Sequence, residues 1–152
     1  MAIGTALLGL LAFLLGCSGT SAKPQNSERF AMRKCVLTGN WTNDLASTMQ
    51  INSVSDTGVF SGLYATAVKN SANPIRPSLL QGVQRQGRQP TFGFTVNWNF
   101  AESTTVFVGQ CFLDAKGKEQ LKTTWLLREV VGSRRDDWRA TKVGMNTFYR
   151  TK

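Results

Sequence analysis

Apolar and polar residues alternate along most of the chain from Lys34 onward, and turn-forming residues interrupt the alternation about every 8–12 positions. This period of two is typical of half-buried β-strands, and no window shows a sustained helical period. Links such as SDTG at 55–58 have ordinary hairpin-turn chemistry. The pattern predicts strands at about 35–45, 47–54, 59–68, 79–84, 91–100, 103–112, 119–129 and 138–148.

The first and last strands of such a sheet need pairing partners, because the unpaired backbone groups of an edge strand can bind other chains. The fold class predicted is therefore all-β, an eight-stranded antiparallel up-and-down β-barrel. A sandwich of two sheets is the alternative. A barrel of this size has room for its own side chains or for one small ligand.

One face of the predicted strands mixes large apolar side chains with hydroxyls and amides. In FGFTVNWNFAESTTVFV at 92–108, the face that carries Trp98 and Phe100 also carries Ser103 and Thr105. A buried hydroxyl without a partner costs roughly 1–3 kcal/mol, so these groups either satisfy each other or meet a ligand. The same mixture recurs in Trp41, Asn43, Leu45 and Ser47; in Phe60, Gly62, Tyr64, Thr66 and Val68; in Leu121, Thr123, Trp125 and Leu127; and in Gly144, Asn146 and Phe148. This repetition favours a ligand pocket with an apolar wall and a polar floor over a self-satisfied core.

The sixth predicted strand is apolar on both faces. Val106, Val108 and Phe112 point away from the face of Thr105 and Phe107. Because no helix is predicted that would cover them, we expect contact between subunits and hence a homo-oligomer.

The first 22 residues contain no charged side chain, and an apolar run at 6–15 is followed by small residues. This pattern predicts a secretory signal peptide at 1–22, because the run is too short for a membrane span, and the protein is expected to be secreted and extracellular. A bacterial lipoprotein signal, with Cys17 as the lipidated residue, is the alternative. Residues 23–33 are predicted to be a loose polar lead-in and 34–150 to form the barrel.

Removal of the predicted signal peptide leaves two cysteines, Cys35 and Cys111. An even pair in an exported chain predicts one disulfide, and two buried free thiols are the alternative. Such a bridge would also remove the only cysteine nucleophile from the mature chain.

The chain carries 18 Lys and Arg against 9 Asp and Glu, a net charge of +9. This charge predicts non-specific attraction to acidic polymers. A dedicated nucleic-acid or membrane site is not expected, because the aromatic residues alternate with neutral polar residues rather than with cations.

The sequence has no histidine, so serine–histidine catalysis and histidine metal sites are excluded. We find no facing carboxylate pair, phosphate loop or redox motif. The sequence therefore predicts a binding protein, not an enzyme, with no metal and no cofactor.

Several colinear segments resemble the avidin family, and the likeness covers nearly all of 34–150. They are CVLTGNWTNDLAS, TGVFSGLYATAV, QPTFGFTVNWNF, ESTTVFVGQCF, KTTWLLR and DDWRATKVGMN. The resemblance implies an eight-stranded barrel, a homotetramer, a Cys35–Cys111 bridge and biotin bound as a non-covalent ligand, not as a cofactor.

Carried over position by position, the resemblance implies that Asn43, Ser47 and Tyr64 donate hydrogen bonds to the ureido oxygen of biotin. Three donors favour the polarised form of a carbonyl, as in an oxyanion hole. Thr66 and Asn146 resemble the acceptors for the ureido N–H groups. The further biotin contacts that the family implies are Leu45, Val68, Lys69, Asn70, Ser71, Trp98, Phe100, Ser103, Thr105, Phe107, Trp125 and Leu127, with Trp138 lent by a neighbouring subunit.

Two departures from the family pattern fall where the carboxylate of biotin is expected. Lys69 stands where a small hydroxyl residue is usual, and Ala101 stands where many members have serine. A missing hydroxyl contact to a charged group weakens binding by roughly 1.5–3 kcal/mol. The motif NWT at 40–42 makes Asn40 a candidate N-glycosylation site.

Two other functions are compatible with parts of the sequence. A lipocalin-like carrier of another small apolar ligand would use the same barrel, but its lining would be mostly aliphatic. A cationic surface-binding protein would depend on charge alone and would lose affinity in salt.

Overall fold

The computed structural model describes residues 33–68 and 74–151. Its strands form a closed barrel in which each strand pairs antiparallel with the next and β8 pairs with β1. The strands are β1 (Gly39–Asn43), β2 (Thr48–Val54), β3 (Val59–Ala65), β4 (Ser78–Gln84), β5 (Thr91–Asn97), β6 (Ser103–Leu113), β7 (Glu119–Glu129) and β8 (Thr141–Arg150). The predicted eight-stranded antiparallel barrel is confirmed, and the sandwich alternative is wrong.

The pairing of β1 with β8 is what closes the sheet. Trp41 lies opposite Arg150 and Asn43 opposite Phe148. Every strand therefore has two paired neighbours, so the barrel has no free edge.

Four of the predicted strands differ from the structure by three or more residues at one end. The third ends at Ala65 rather than 68 and the fifth at Asn97 rather than 100, and the first and eighth begin later than predicted. The first begins at Gly39 rather than 35, because 33–38 close the end of the barrel instead of pairing in the sheet. The eighth begins at Thr141 rather than 138, because Arg134–Arg139 form a 3-10 helix. In that helix Asp136 accepts hydrogen bonds from the Ser133 hydroxyl, at 2.8 Å, and from Arg139. Such local side-chain bonds compete with strand pairing.

Aromatic side chains fill the half of the barrel beside the turns at 55–58, 85–90 and 114–118. The rings of Phe94 and Phe107 stack at 4.6 Å between centroids, and Phe92 stacks on Phe94. Trp41 and Phe148 are fully buried in the same core. Since this half is filled by side chains, any ligand must lie in the other half.

The filled half is sealed by the segment that precedes β1. The indole N–H of Trp41 donates to the Leu37 carbonyl at 2.8 Å, and the Arg150 guanidinium lies 4.0 Å from the centre of the Trp41 ring. Arg150 also donates to the Thr38 carbonyl at 2.6 Å. We call this region, formed by 33–38 and the end of β8, the sealed end.

A disulfide joins Cys35 of the sealed end to Cys111 of β6, with the Cα atoms 5.9 Å apart. The predicted bridge is confirmed, and the free-thiol alternative is wrong. Cross-linking residues 76 positions apart stabilises the fold mainly by restricting the unfolded chain.

The outer face of β6, β7 and β8 carries an exposed apolar patch, as the sequence predicted for β6. The register aligns Val106 with Leu126 and Leu126 with Val143 in one row across the three strands. Val108 and Met145 lie in the next row, on either side of Thr124, and Met145 is 76% exposed. An exposed apolar patch on a sheet is a feature of association surfaces.

Candidate ligand-binding site

A cavity of about 300 Å³ opens at the end of the barrel opposite the sealed end. This volume lies at the lower limit for small-molecule sites. Its lining is Asn43, Leu45, Ser47, Tyr64, Thr66, Val68, Trp98, Phe100, Ala101, Ser103, Thr105, Phe107, Trp125, Leu127, Glu129, Lys142 and Asn146. The structure thus brings together around one cavity most of the positions that the sequence singled out.

Three buried polar side chains meet at the floor of the cavity. Asn43 Oδ1 accepts the backbone N–H groups of Leu45, at 3.0 Å, and Ser47, at 2.8 Å. Its amide nitrogen therefore points the other way, toward Tyr64 Oη at 3.3 Å. Ser47 Oγ accepts the N–H of Ala67 at 3.0 Å. The backbone thus sets the orientation of the Asn43 amide and occupies an acceptor position of Ser47.

Burial raises the pKa of Tyr64 to about 12; a hydrogen bond with Ser47 lowers it in part, and the nearby Asp44 carboxylate adds to the rise. Desolvation disfavours the phenolate, since the ring is 3% exposed and lies among other aromatic rings. The Tyr64 hydroxyl is therefore protonated at neutral pH and able to donate a hydrogen bond.

A second polar group is a chain of three side chains, from β7, from β8 and from the turn after β1. Asn146 Oδ1 accepts the indole N–H of Trp125 at 2.8 Å, and Asn146 Nδ2 donates to Asp44 Oδ1 at 2.7 Å. The other Asp44 oxygen accepts the N–H of Thr147 at 3.2 Å. Since a carboxylate only accepts, Asp44 holds the nitrogen of the Asn146 amide and leaves its oxygen with a free lone pair.

Gly144 is required by the position of Trp125. The two residues lie opposite each other in the β7–β8 register, and a Cβ on Gly144 would lie 2.3 Å from the Trp125 ring. The absence of a side chain lets the indole lie against the β8 backbone and form one wall of the cavity.

Aromatic rings form the opposite wall. The indole N–H of Trp98 donates to Thr105 Oγ1 at 2.8 Å, which satisfies both polar groups. Trp98 meets Tyr64 edge to face at 5.4 Å between centroids and contacts Phe100 at 5.7 Å. Edge-to-face pairs of this kind hold rings in one orientation, so the wall is preorganised.

The turn that carries part of the floor is strained. Ala46 has a φ of 63°, the left-handed region that a residue with a Cβ rarely adopts. Its N–H donates to the Asn43 carbonyl at 3.0 Å, and the Asn43 side chain bonds the residues on either side of it. Such strain persists where surrounding contacts determine the conformation, commonly at binding sites.

Six of the sequence-predicted residues that line the cavity lie outside the strands: Leu45, Ser47, Thr66, Val68, Trp98 and Phe100. Leu45 follows the end of β1 and Val68 follows the end of β3, and both side chains are largely exposed. The prediction that they continue the inward face of a strand is wrong, since β1 ends at Asn43 and β3 at Ala65. They form part of the cavity mouth.

Trp138 does not line the cavity of its own chain. It lies in the 3-10 helix, with 82% of its surface exposed. Lys69, Asn70 and Ser71, which the sequence also predicted as site residues, lie outside the described residues, as do 1–32.

Three residues at the site were not among the predicted contacts. Asp44 holds Asn146, while Glu129 and Lys142 line the mouth of the cavity. The alternation of inward and outward residues predicts the last two, because Glu129 lies on the same face of its strand as Leu127, and Lys142 on the same face as Gly144. Asp44 is 102 positions from Asn146 and has no comparable signal.

In the described ranges 33–68 and 74–151, His, Cys, Asp and Glu side chains form no group of three or more suited to a metal ion. The helical part of those ranges contains no segment of the length and apolarity needed to cross a membrane.

The fold and the cavity together define a closed antiparallel β-barrel with a small-molecule site at one end. The family model described as the avidin family matches residues 31–151. Avidin of Gallus gallus is 53% identical over 149 residues, covering 96% of this chain and 91% of that protein. The chain therefore belongs to the avidin family.

Further similarities agree with this assignment. Avidin-related protein 2 of Gallus gallus is 58% identical over 119 residues, which cover 78% of this chain and 79% of that protein. The crystal structure of xenavidin, 50% identical, aligns with a TM-score of 0.76 over 78% of this chain and 100% of that one. The X-ray structure of a biotin binding protein from chicken, 56% identical, also aligns with a TM-score of 0.76, over 79% and 99%.

Proposed function

We propose that this protein is a secreted, non-catalytic biotin-binding protein that holds biotin without a covalent bond and so sequesters or stores it. The observation that carries the proposal is the convergence of Asn43, Ser47 and Tyr64 at the floor of an aromatic-walled cavity. A similar structure, 56% identical, is that of a biotin binding protein from chicken.

Each polar group has a role suited to a cyclic urea. Asn43, Ser47 and Tyr64 donate to the ureido oxygen, which stabilises the polarised carbonyl in a preorganised, water-poor site. Because Asp44 binds the nitrogen of the Asn146 amide, Asn146 Oδ1 keeps a free lone pair, and this oxygen accepts one ureido N–H. Thr66 Oγ1, which lies beside the loop backbone at Val68, accepts the other.

The remaining lining matches the rest of the ligand. The rings of Trp98, Phe107 and Trp125 enclose the bicyclic head, and the Thr105 hydroxyl lies near the ring sulfur. Leu45, Val68, Phe100 and Leu127 surround the aliphatic tail. Ser103, with Lys69, Asn70 and Ser71, receives the carboxylate.

The assembly is proposed to be a homotetramer. The apolar row on the outer face of β6–β8 is suited to contact with a second copy of the chain. Trp138, exposed on its own subunit, is proposed to cover the cavity of a neighbour. Asn40 has an exposed side chain in the sequon and is the proposed glycosylation site.

A lipocalin-like role is not favoured, because the floor presents converging amide and hydroxyl groups instead of an aliphatic lining. Titration of the purified protein with biotin, followed by tryptophan fluorescence, tests the choice. We expect a saturable change at about one biotin per chain and no response to palmitate, the control ligand for a lipid carrier. No saturable response to biotin would refute the proposal.

A further inference from the structure

An ion pair faces into the mouth of the cavity. Lys142 Nζ lies 2.5 Å from Glu129 Oε1, and both residues line the cavity. They share the inward parity of their strands with Leu127 of β7 and Gly144 of β8. Among the described residues that line the cavity, these two are the only charged ones.

The ion pair links two neighbouring rows of inward residues, and its two members lie diagonally across β7 and β8. Glu129 lies opposite Ser103 in the β6–β7 register, and Lys142 lies opposite Leu127 in the β7–β8 register. Lys142 is four residues from Asn146 along β8, about 13 Å at the usual rise of a strand. This separation is comparable to the length of a bicyclic head with a short aliphatic acid tail.

The pair is available to a ligand because it is half exposed, with 52% of the Lys142 side chain and 40% of the Glu129 side chain open to solvent. Ion pairs at this level of exposure contribute little to stability, so a competing anion can share the ammonium at small cost. Lysine has three donors, and the ammonium can therefore bind Glu129 and a second carboxylate together.

We infer that Lys142 binds the acidic tail of the ligand and that Glu129 both positions the Lys142 ammonium and opposes the charge of that tail. The pair thereby sets the preference of the site between a ligand with a free carboxylate and one whose tail is a neutral amide, as in biotin linked to an amine. This inference rests on the proposed function.

The test is the ratio of two dissociation rates, that of biotin divided by that of biotinamide, measured by chase with excess unlabelled ligand. Lys142→Gln is expected to raise the ratio about two- to fivefold, because it removes the cation and leaves Glu129 unpaired. Glu129→Gln is expected to lower the ratio by a similar factor. Both shifts should shrink in high salt, because the groups are exposed.

Lys122→Gln is the matched control. Lys122 lies on β7 like Glu129, but its side chain is exposed on the outer face and donates to Thr147 Oγ1 at 2.9 Å. Its loss changes the net charge as Lys142→Gln does, and the ratio should stay at the wild-type value. Equal shifts in Lys142→Gln and Lys122→Gln would overturn the inference, because net charge alone would then explain them.

The result for the wild-type protein separates the two proposals. Retained binding of both ligands, with the same ratio in all variants, would overturn the role of the ion pair and leave biotin binding intact. Failure of the wild-type protein to bind either ligand would overturn both.

Discussion

Replacing Asp44 by alanine tests whether the orientation of Asn146 determines how long the ligand stays bound. Asp44 touches no part of the proposed ligand, but its carboxylate accepts the Asn146 amide at 2.7 Å and the Thr147 N–H at 3.2 Å. In Asp44→Ala the Asn146 amide loses the acceptor for its nitrogen and is free to turn. The Trp125 indole, bonded to Asn146 Oδ1 at 2.8 Å, loses the same constraint.

The expected magnitude follows from the kind of bond that is lost. A hydrogen bond to a charged group contributes about 1.5–3 kcal/mol. If that contribution is lost from ligand binding, the affinity falls roughly 10- to 150-fold. Within one binding site most such changes appear in the dissociation rate.

The assay is the release of labelled biotin after addition of an excess of unlabelled biotin. Asp56→Ala is the matched control, since Asp56 lies in the turn between β2 and β3 on the sealed side and carries the same charge. Wild-type release from Asp44→Ala would refute the reasoning. Equal acceleration in both variants would show that net charge is responsible.

The remaining predictions concern the floor, the assembly and the disulfide. Tyr64→Phe should weaken biotin binding by about 1.5–3 kcal/mol, measured as a faster release. Because folding raises the pKa of Tyr64 to about 12, the contribution of Tyr64 to the free energy of unfolding is complete below pH 10 and is lost as the pH rises to about 12. Denaturant unfolding should show this loss in the wild type and not in Tyr64→Phe. Trp138→Lys should release biotin faster and give a smaller species in light scattering, whereas an unchanged mass would contradict its place between subunits. Reduction of Cys35–Cys111 should lower the unfolding temperature of the ligand-free protein in calorimetry, with saturating biotin restoring part of the loss; an unchanged temperature would contradict the stabilising role of the bridge.

The period-two pattern predicted the barrel because both faces of its strands carry a clear signal. Inward positions alternate with outward ones along the strands, apart from a shift in β2 between Ile51 and Val54, so parity brought Tyr64, Trp98 and Trp125 to one interior. The sequence did not predict the 3-10 helix at Arg134–Arg139, because six residues are too few to show a helical period. Trp138 is also of a residue type that is common in strands, so the pattern placed the start of the eighth strand there.

The missed site residues have different causes. Glu129 and Lys142 lie on the inward face, but charged residues at strand ends are usually solvated, so their residue types give no signal for a binding site. Asp44 is the outward neighbour of Asn43 in the β1 pattern, and it reaches Asn146 because the chain leaves the strand after Asn43. The left-handed conformation of Ala46 belongs to the same turn, and an alanine gives no sequence signal for it.

The sealed end also determines where a fusion partner or a surface linker can be attached to the protein. Cys35 is bonded to Cys111 there, and the N–H of Thr151 donates to the Asn40 carbonyl at 3.0 Å, so both ends of the barrel domain emerge on the same side. A fusion partner or a surface linker joined after residue 151 would therefore leave the cavity mouth facing outward. Attachment through the carboxyl-terminal end of the barrel should therefore not compete with the ligand for space.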